Sequence, residues 1–232
     1  MTTIKLSKRL IAVASFVEQG AIVADIGSDH AYLPTYLIQK KVIQKAIAGE
    51  VVIGPYETAK NSVYRHGVSD KITVRLADGL FAIEEEDEID TVTIAGMGGS
   101  LIATILEQGK ERLHHVKRLI VQPNLHAKAI RKWAVTNNWQ LVNEQILKED
   151  GKIYEILVLE KGVSSYDDLE LLVGPILLVE KNSIFREKWE NEIDQRIQVL
   201  GSLDNAVETP ALVNKKEQLS HDINTLRKVL EK

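Results

Sequence analysis

The sequence predicts an α/β fold: a mostly parallel sheet closed by an antiparallel hairpin, followed by an antiparallel, coiled-coil-like pair of helices. Three observations predict it. Residues 21–160 alternate short apolar runs with helical patterns. The pair Asp150-Gly151 separates the last two of those runs. Beyond residue 165 no strand-like run occurs, and two one-sided apolar stripes repeat at steps of mostly three and four.

The elements follow in order. The opening segment, MTTIKLSKRLIAVASFVEQG, is basic at Lys5, Lys8 and Arg9 and then apolar. Glu18 and Gln19 follow at once and no small-residue cleavage pattern is present, so an amphipathic helix of a cytoplasmic protein is expected. Strands are expected at 21–27, 45–51, 71–78, 89–96 and 117–123, with helices at 33–40, 56–66, 100–107 and 126–136 between them. Strands joined through helices form right-handed crossovers and hence a parallel sheet. Residues 139–149 and 152–161 flank Asp150-Gly151, a strong signal for a type I′ hairpin. The second of these, containing IYEILVLE, is apolar enough for an internal strand.

In the last segment, Phe185, Trp189, Ile193, Ile197 and Leu200 mark one helical stripe, and Leu212, Leu219, Ile223, Leu226 and Leu230 mark another. GSLDNAVE carries the turn between them, and Thr209-Pro210 reads as an N-cap followed by proline at the first helical position. Two domains are expected, 1–164 and 165–232. The acidic run EEEDE at 84–88 reads as a solvated loop.

Composition narrows the function. The chain has 232 residues, 44% hydrophobic and 27% charged, and no cysteine. Disulfides, thiolate metal sites and a cysteine nucleophile are excluded. No apolar run reaches membrane-spanning length. Net charge is −4, all of it carried by 165–232, so any nucleic-acid binding must use local basic patches. The six histidines show no metal spacing, and the adjacent His114 and His115 are expected to point to different sides of a surface loop. No metal is expected, and no G-x-S-x-G elbow supports hydrolase chemistry.

The candidate chemistry lies at the carboxyl ends of the strands, where open α/β sheets bind ligands. The first strand ends in Asp25-Ile26-Gly27-Ser28-Asp29-His30. Gly27 permits a tight turn and close ligand approach; the plainer alternative is an ordinary turn capped by Ser28 or Asp29. The stretch has neither G-x-G-x-x-G spacing nor a Walker A motif, and no Lys or Arg occurs from Ala21 to Gln39. Carboxylates without cations disfavour a pyrophosphate and suit a ligand with cationic groups, such as the ammonium and sulfonium of S-adenosylmethionine. Glu50 ends the second strand, where an acid can accept from ribose hydroxyls. Asp78 in Asp78-Gly79-Leu80 follows the third; it can accept from an adenine amino group while Leu80 packs the ring. The fourth strand runs into Ala95-Gly96-Met97-Gly98-Gly99, and the fifth ends in Gln122-Pro123-Asn124. Asn124 suits either a helix cap or a base edge.

Taken together, DIGSDHAYLP, GE, ADGL, AGMGG and QPN, in this order, resemble the class I S-adenosylmethionine-dependent methyltransferases. More narrowly, the chain is similar to the bacterial tRNA (adenine(22)-N1)-methyltransferase family over residues 1–161, with helices of matching length beyond. The resemblance implies a Rossmann-like methyltransferase sheet. It implies cofactor contacts from Asp25, Gly27, Ser28 and Asp29 at the methionine part, Glu50 at the ribose, Asp78, Gly79 and Leu80 at the adenine, and Ala95, Gly96 and Met97 near the methyl group. Gly98, Gln122, Pro123 and Asn124 would face the substrate. The Asp/Asn-Pro-Pro-aromatic motif of adenine-N6 enzymes is absent.

Adenine N1 has an in-plane lone pair and needs no strong base. Proximity and orientation, which supply roughly 7–11 kcal/mol, suffice in the main. Asp29 and Asn124 are the candidates for orienting the base and stabilising its positive charge, with His30 supporting or stacking. Lys5, Lys8 and Arg9, and Lys128, Arg131 and Lys132, are the candidate phosphate contacts for tRNA, and 165–232 is the expected tRNA-binding domain. No obligate protein partner is called for. The competing expectations are a methyltransferase acting on a small molecule and a non-catalytic RNA- or protein-binding adaptor.

Overall fold

A computed structural model describes residues 4–203 and 209–231. Among the described residues, seven strands form one sheet: β1 (Val23–Ile26), β2 (Ala46–Glu50), β3 (Ile72–Leu76), β4 (Thr91–Met97), β5 (Arg118–Pro123), β6 (Trp139–Glu149) and β7 (Lys152–Lys161). Their order is β3-β2-β1-β4-β5-β7-β6, with β1 to β5 parallel and β7 antiparallel to both neighbours. β7 is internal, as its apolar run requires. Asp150 and Gly151 both have positive φ, as a type I′ turn demands.

The strands are joined through α2 (Tyr32–Gln39), α3 (Ile53–Arg65), α4 (Gly99–Gln108) and α5 (Ala127–Thr136). Alternation along the strands supplies two apolar faces. Val23, Ala48, Ile120 and Val158 pack with residues of α1 (Lys8–Ser15), α2 and α3 in one core cluster. Ala24, Val92, Leu119 and Leu157 face the opposite side. α3 begins three residues before the expected start, with Pro55 in its first turn, where a missing N–H costs nothing. Strand order reverses between β1 and β4, so a crevice is expected at their carboxyl ends.

A short helix, α6 (Asp168–Val173), follows the sheet, with a capping box between Asp167 and Glu170. Packing divides the chain into two compact units, one through Pro175 and one from Ile176. The boundary therefore falls later than the expected 164/165. The reason is that Arg131 of α5 donates to the Leu171 and Leu172 carbonyls, which holds α6 in the first unit.

The second unit contains most of α7 (Pro175–Glu180), then α8 (Ser183–Ser202) and α9 (Pro210–Glu231). Arg186 near the start of α8 donates to the Leu230 carbonyl at the end of α9, so the two run antiparallel. Phe185, Trp189, Ile193, Ile223, Leu226 and Val229 are buried, whereas Ile197 and Val199 are exposed. The apolar seam is thus dry at one end and open towards the turn. Thr209 caps α9 by accepting from the Leu212 amide; the expected turn at 204–208 lies outside the described residues. Among the described residues, no helix is long and apolar enough to cross a membrane.

Candidate functional site

Asp25 sits on β1 opposite Thr93 of β4, at the switch in strand order. It is buried, and its carboxylate accepts from the Thr93 hydroxyl at 2.6 Å and from the Ser28 hydroxyl. One lone pair on each oxygen is left for a ligand. The Gly27 and Ser28 amides both donate to the Gly49 carbonyl of β2, which fixes the turn against the next strand. Gly27 has φ +67°, and a Cβ there would lie 2.0 Å from Met97 Cε. Glycine is therefore favoured by the conformation, and any Cβ there would push aside the end of the Met97 side chain that lies over it.

Beyond the turn the backbone is unusual. Asp29, His30 and Ala31 all have positive φ (40°, 63° and 54°). Three non-glycine residues in succession in the left-handed region are strained, and strain of this kind gathers at binding sites. Glu50 stabilises the run, accepting from the Asp29 amide at 2.7 Å. The His30 ring is 3.3 Å from the Asp29 carboxylate and stacks on Tyr32, with ring centroids 5.1 Å apart. Tyr32 was not a sequence candidate.

The acids share one electrostatic problem. Burial pushes the Asp25 carboxyl above its usual range; the Ser28 and Thr93 hydroxyls pull it back, and Asp29 adds repulsion. Burial likewise raises Glu50, which the Asp29 amide partly offsets, while Asp25 and Asp29 repel it. A cationic ligand group placed here relieves this repulsion. Asp78 is exposed just after β3, and the preceding Ala77 amide donates to the Glu50 carbonyl.

A second network joins the ends of β4 and β5. Their pairing shifts register between Ala95 and Met97, and Gly96, at φ +81°, is the extra residue of this bulge. Gln122 accepts from the Gly96 amide at 3.0 Å and from the Arg9 guanidinium. Its amide group donates to the Pro123 carbonyl and to Asn124 Oδ1, 3.4 Å away. Asn124 is exposed, donates to the Gly96 carbonyl at 2.7 Å, and through its own amide to the Met97 carbonyl. His126, not Asn124, occupies the cap position of α5.

The fold thus brings Asp25, Gly27, Ser28, Asp29, His30 and Glu50 together, and ties Gly96, Met97, Asn124 and Arg9 into the adjacent group. Gly98 is exposed at the start of α4, and Gly79 turns into a short 3-10 segment after Asp78. Several expectations are corrected. Leu80 is only 1% exposed and packs beside Gly109, so its side chain does not cover an adenine ring. Gln122 and Pro123 are buried, and the Gln122 amide is fully engaged, so both support Asn124 instead of meeting a substrate. Arg131 is 0% exposed, bound to Glu144 and Glu155, and is not a phosphate contact. Lys128 is partly covered, 3.6 Å from Asp168; Lys8 is exposed on α1. His114 and His115 do not diverge: their centroids are 4.0 Å apart, and ligand atoms of both and of Glu85 lie within 4.8 Å. That group precedes β4 and β5 at their amino ends, opposite the carboxyl-end site. Sequence reading also missed the exposed aliphatic run Val51–Ile53 directly after Glu50, whose signal is an apolar stretch outlasting its strand.

Comparison with known proteins agrees with this geometry. A family model described as tRNA (adenine(22)-N(1))-methyltransferase matches residues 23–228. The chain is 44% identical to the tRNA (adenine(22)-N(1))-methyltransferase of Bacillus subtilis, over 100% of this chain and 99% of that protein. The crystal structure of a putative tRNA (m1A22) methyltransferase from Streptococcus pneumoniae, in complex with S-adenosyl-L-methionine, superposes with a TM-score of 0.90 at 45% identity. It covers 97% of this chain and 100% of that one. An M. capricolum relative in complex with S-adenosyl-homocysteine gives a TM-score of 0.85 at 31% identity, covering 97% and 98%. The carboxylate-lined turn, the β4–β5 end network and the whole-length match have one account: the chain belongs to the tRNA (adenine(22)-N(1))-methyltransferase family.

Proposed function

We propose that this chain transfers a methyl group from S-adenosylmethionine to N1 of adenine 22 in tRNA. The observation that carries the reading is the row of carboxylates at the ends of three adjacent strands, Asp25 and Asp29, Glu50 and Asp78, around a turn kept open by Gly27. These residues fit the cofactor chemically: Asp25, Ser28 and Asp29 face its cationic amino acid part, Glu50 its ribose, and Asp78 and Gly79 its adenine. Val51 replaces Leu80 as the apolar contact for that ring. Solved relatives carry S-adenosyl-L-methionine or S-adenosyl-homocysteine, which supports the assignment.

When bound, S-adenosylmethionine supplies an electrophilic sulfonium methyl. The chain's own residues hold and orient the base. The target adenine must leave its stack. Asn124 offers an amide oxygen to its amino group, and His30 and Tyr32 offer a stacked surface. Asp29 and Asn124 stabilise the positive charge that N1-methylation creates. Ala95, Gly96, Met97 and Gly98 border the transfer site. Lys5, Lys8, Lys128 and Lys132 are the retained phosphate contacts of the first unit. The antiparallel, coiled-coil-like helices are assigned to tRNA binding. No metal or protein partner enters the mechanism, and a tRNA substrate places the work in the cytoplasm.

The test is transfer of labelled methyl to unmodified tRNA by the purified chain alone, followed by nucleoside analysis. 1-Methyladenosine at position 22 is expected. Transfer only to small molecules, or none, overturns the reading.

Two variants refine it. Glu50→Ala weakens cofactor binding roughly 10- to 100-fold, since hydrogen bonds to a charged acceptor are each worth about 1.5–3 kcal/mol. Sequence alone predicts mostly uniform binding loss. Because Glu50 also holds the Asp29 amide, saturated turnover falls as well; an unchanged dissociation constant moves the ribose contact elsewhere. Asn124→Ala leaves cofactor affinity intact and lowers turnover roughly tenfold or more. A normal rate would reduce Asn124 to a tie between strands.

A further inference from the structure

Arg9 is the cation that the fold delivers to this site. Its helix, α1, is fixed at the amino end by Ser7, which accepts from the Leu10 amide, and by Glu149 of β6, which accepts from the Lys8 and Arg9 amides. The Arg9 guanidinium lies over the Tyr154 ring, 5.5 Å from its centroid, and donates through Nη1 to the buried Gln122. A Cβ on Gly96 would lie 3.5 Å from Nη1, an ordinary contact distance, which sets the guanidinium against the β4 bulge. The Glu149 carboxylate accepts from the backbone amide of Arg9 and feels the Arg9 charge, which helps hold it below its usual range, but it forms no ion pair with the guanidinium. Among the described residues the guanidinium has no carboxylate in ion-pair contact, and Nη2 and Nε make no hydrogen bond. A half-buried arginine held by a neutral amide and a ring, with one edge unspent, is prepared for an anionic oxygen.

The site supplies a reason for that anion. The turn after β1 carries two acids and no Lys or Arg from Ala21 to Gln39, and its one basic ring, His30, is taken up beside Asp29 and stacked on Tyr32. It suits the cationic groups of S-adenosylmethionine but would repel that molecule's own carboxylate. A permanent positive charge for that carboxylate is found outside the turn. Arg9 sits beside Gly96, next to Met97, whose side chain lies over Gly27.

We propose that Arg9 binds the α-carboxylate of S-adenosylmethionine. The inference rests on the function proposed above and adds the residue that selects the amino acid end of the cofactor. The other source of an anionic oxygen is a phosphate of the tRNA, and the experiment separates the two.

Calorimetry on the full chain compares S-adenosylhomocysteine with the same thioether lacking only the carboxylate. The unaltered chain prefers the carboxylate form. In Arg9→Gln that preference collapses, with S-adenosylhomocysteine weakened about ten- to a hundredfold and the decarboxylated ligand nearly unchanged. Arg9→Lys, which keeps charge but not the fork, falls between. Melting temperature and circular dichroism establish that each variant is folded. Equal loss for both ligands, or no loss for either, overturns the proposal. A tRNA affinity whose salt slope drops by about 0.7–0.9 with cofactor affinity intact also overturns it, and assigns Arg9 to a phosphate. Failure of the unaltered chain to bind S-adenosylhomocysteine at all would instead refute the cofactor reading itself.

Discussion

Gly27→Leu abolishes cofactor binding while the sheet remains folded. At φ +67° any side chain is strained, and the new Cβ would meet Met97 Cε at 2.0 Å. Left-handed backbone costs an L-residue roughly 1–2 kcal/mol, which a domain of this size survives. The larger effect is local. The end of Met97 must swing aside or the turn must open, and opening the turn disturbs Ser28 and Asp29, which are held by hydrogen bonds to Asp25 and Glu50. A leucine side chain also fills space left for the ligand. Calorimetry with S-adenosylhomocysteine should register a loss of about a hundredfold or more, beside a circular dichroism spectrum unchanged in shape. Near-normal affinity in a folded variant would move the site away from this turn.

Removal of residues 176–232 separates cofactor binding from tRNA methylation. The first unit has its own core and retains α6, so the shortened chain binds cofactor within about twofold of the full one and loses tRNA affinity and turnover by about a hundredfold or more. Not every basic residue of the helices is available to phosphates: Arg186 is committed to the Leu230 carbonyl and Arg196 to Glu192. Lys215, Arg227 and Lys228 are exposed. Reduced tRNA affinity with a shallower salt dependence is expected, each lost contact lowering the slope by about 0.7–0.9. A soluble truncated chain that methylates tRNA normally overturns the assignment of tRNA binding to the helices.

The contrast between what the sequence discloses and what it conceals has physical causes. Strand runs were legible because burial on both faces leaves continuous apolar stretches. Asp150-Gly151 set both hairpin strands to the residue, because the turn type fixes register. The carboxylates at the strand ends were legible because topology alone brings strand ends together. Arg131 misled because charge outweighed position: it shares one buried face of α5 with Ala127, Ile130 and Ala134, at helical spacing. The Asp167–Glu170 capping box also stood in the sequence, ahead of an apolar run too short to attract notice. Other features left no local trace. The left-handed run at 29–31 depends on Glu50, and the place of Arg9 depends on Gln122 and Glu149.

The grip of Glu149 on the start of α1 joins residues 141 positions apart. Contacts of such long sequence separation form slowly, because much chain entropy is lost before they repay it. The ribosome releases α1 first but its clamp only after most of the sheet has emerged. At about 5–20 residues per second, the first helix waits many seconds without its anchor. Ligand-binding competence is thus a late event of biosynthesis, and a chain interrupted before β6 has all five parallel strands but no finished site.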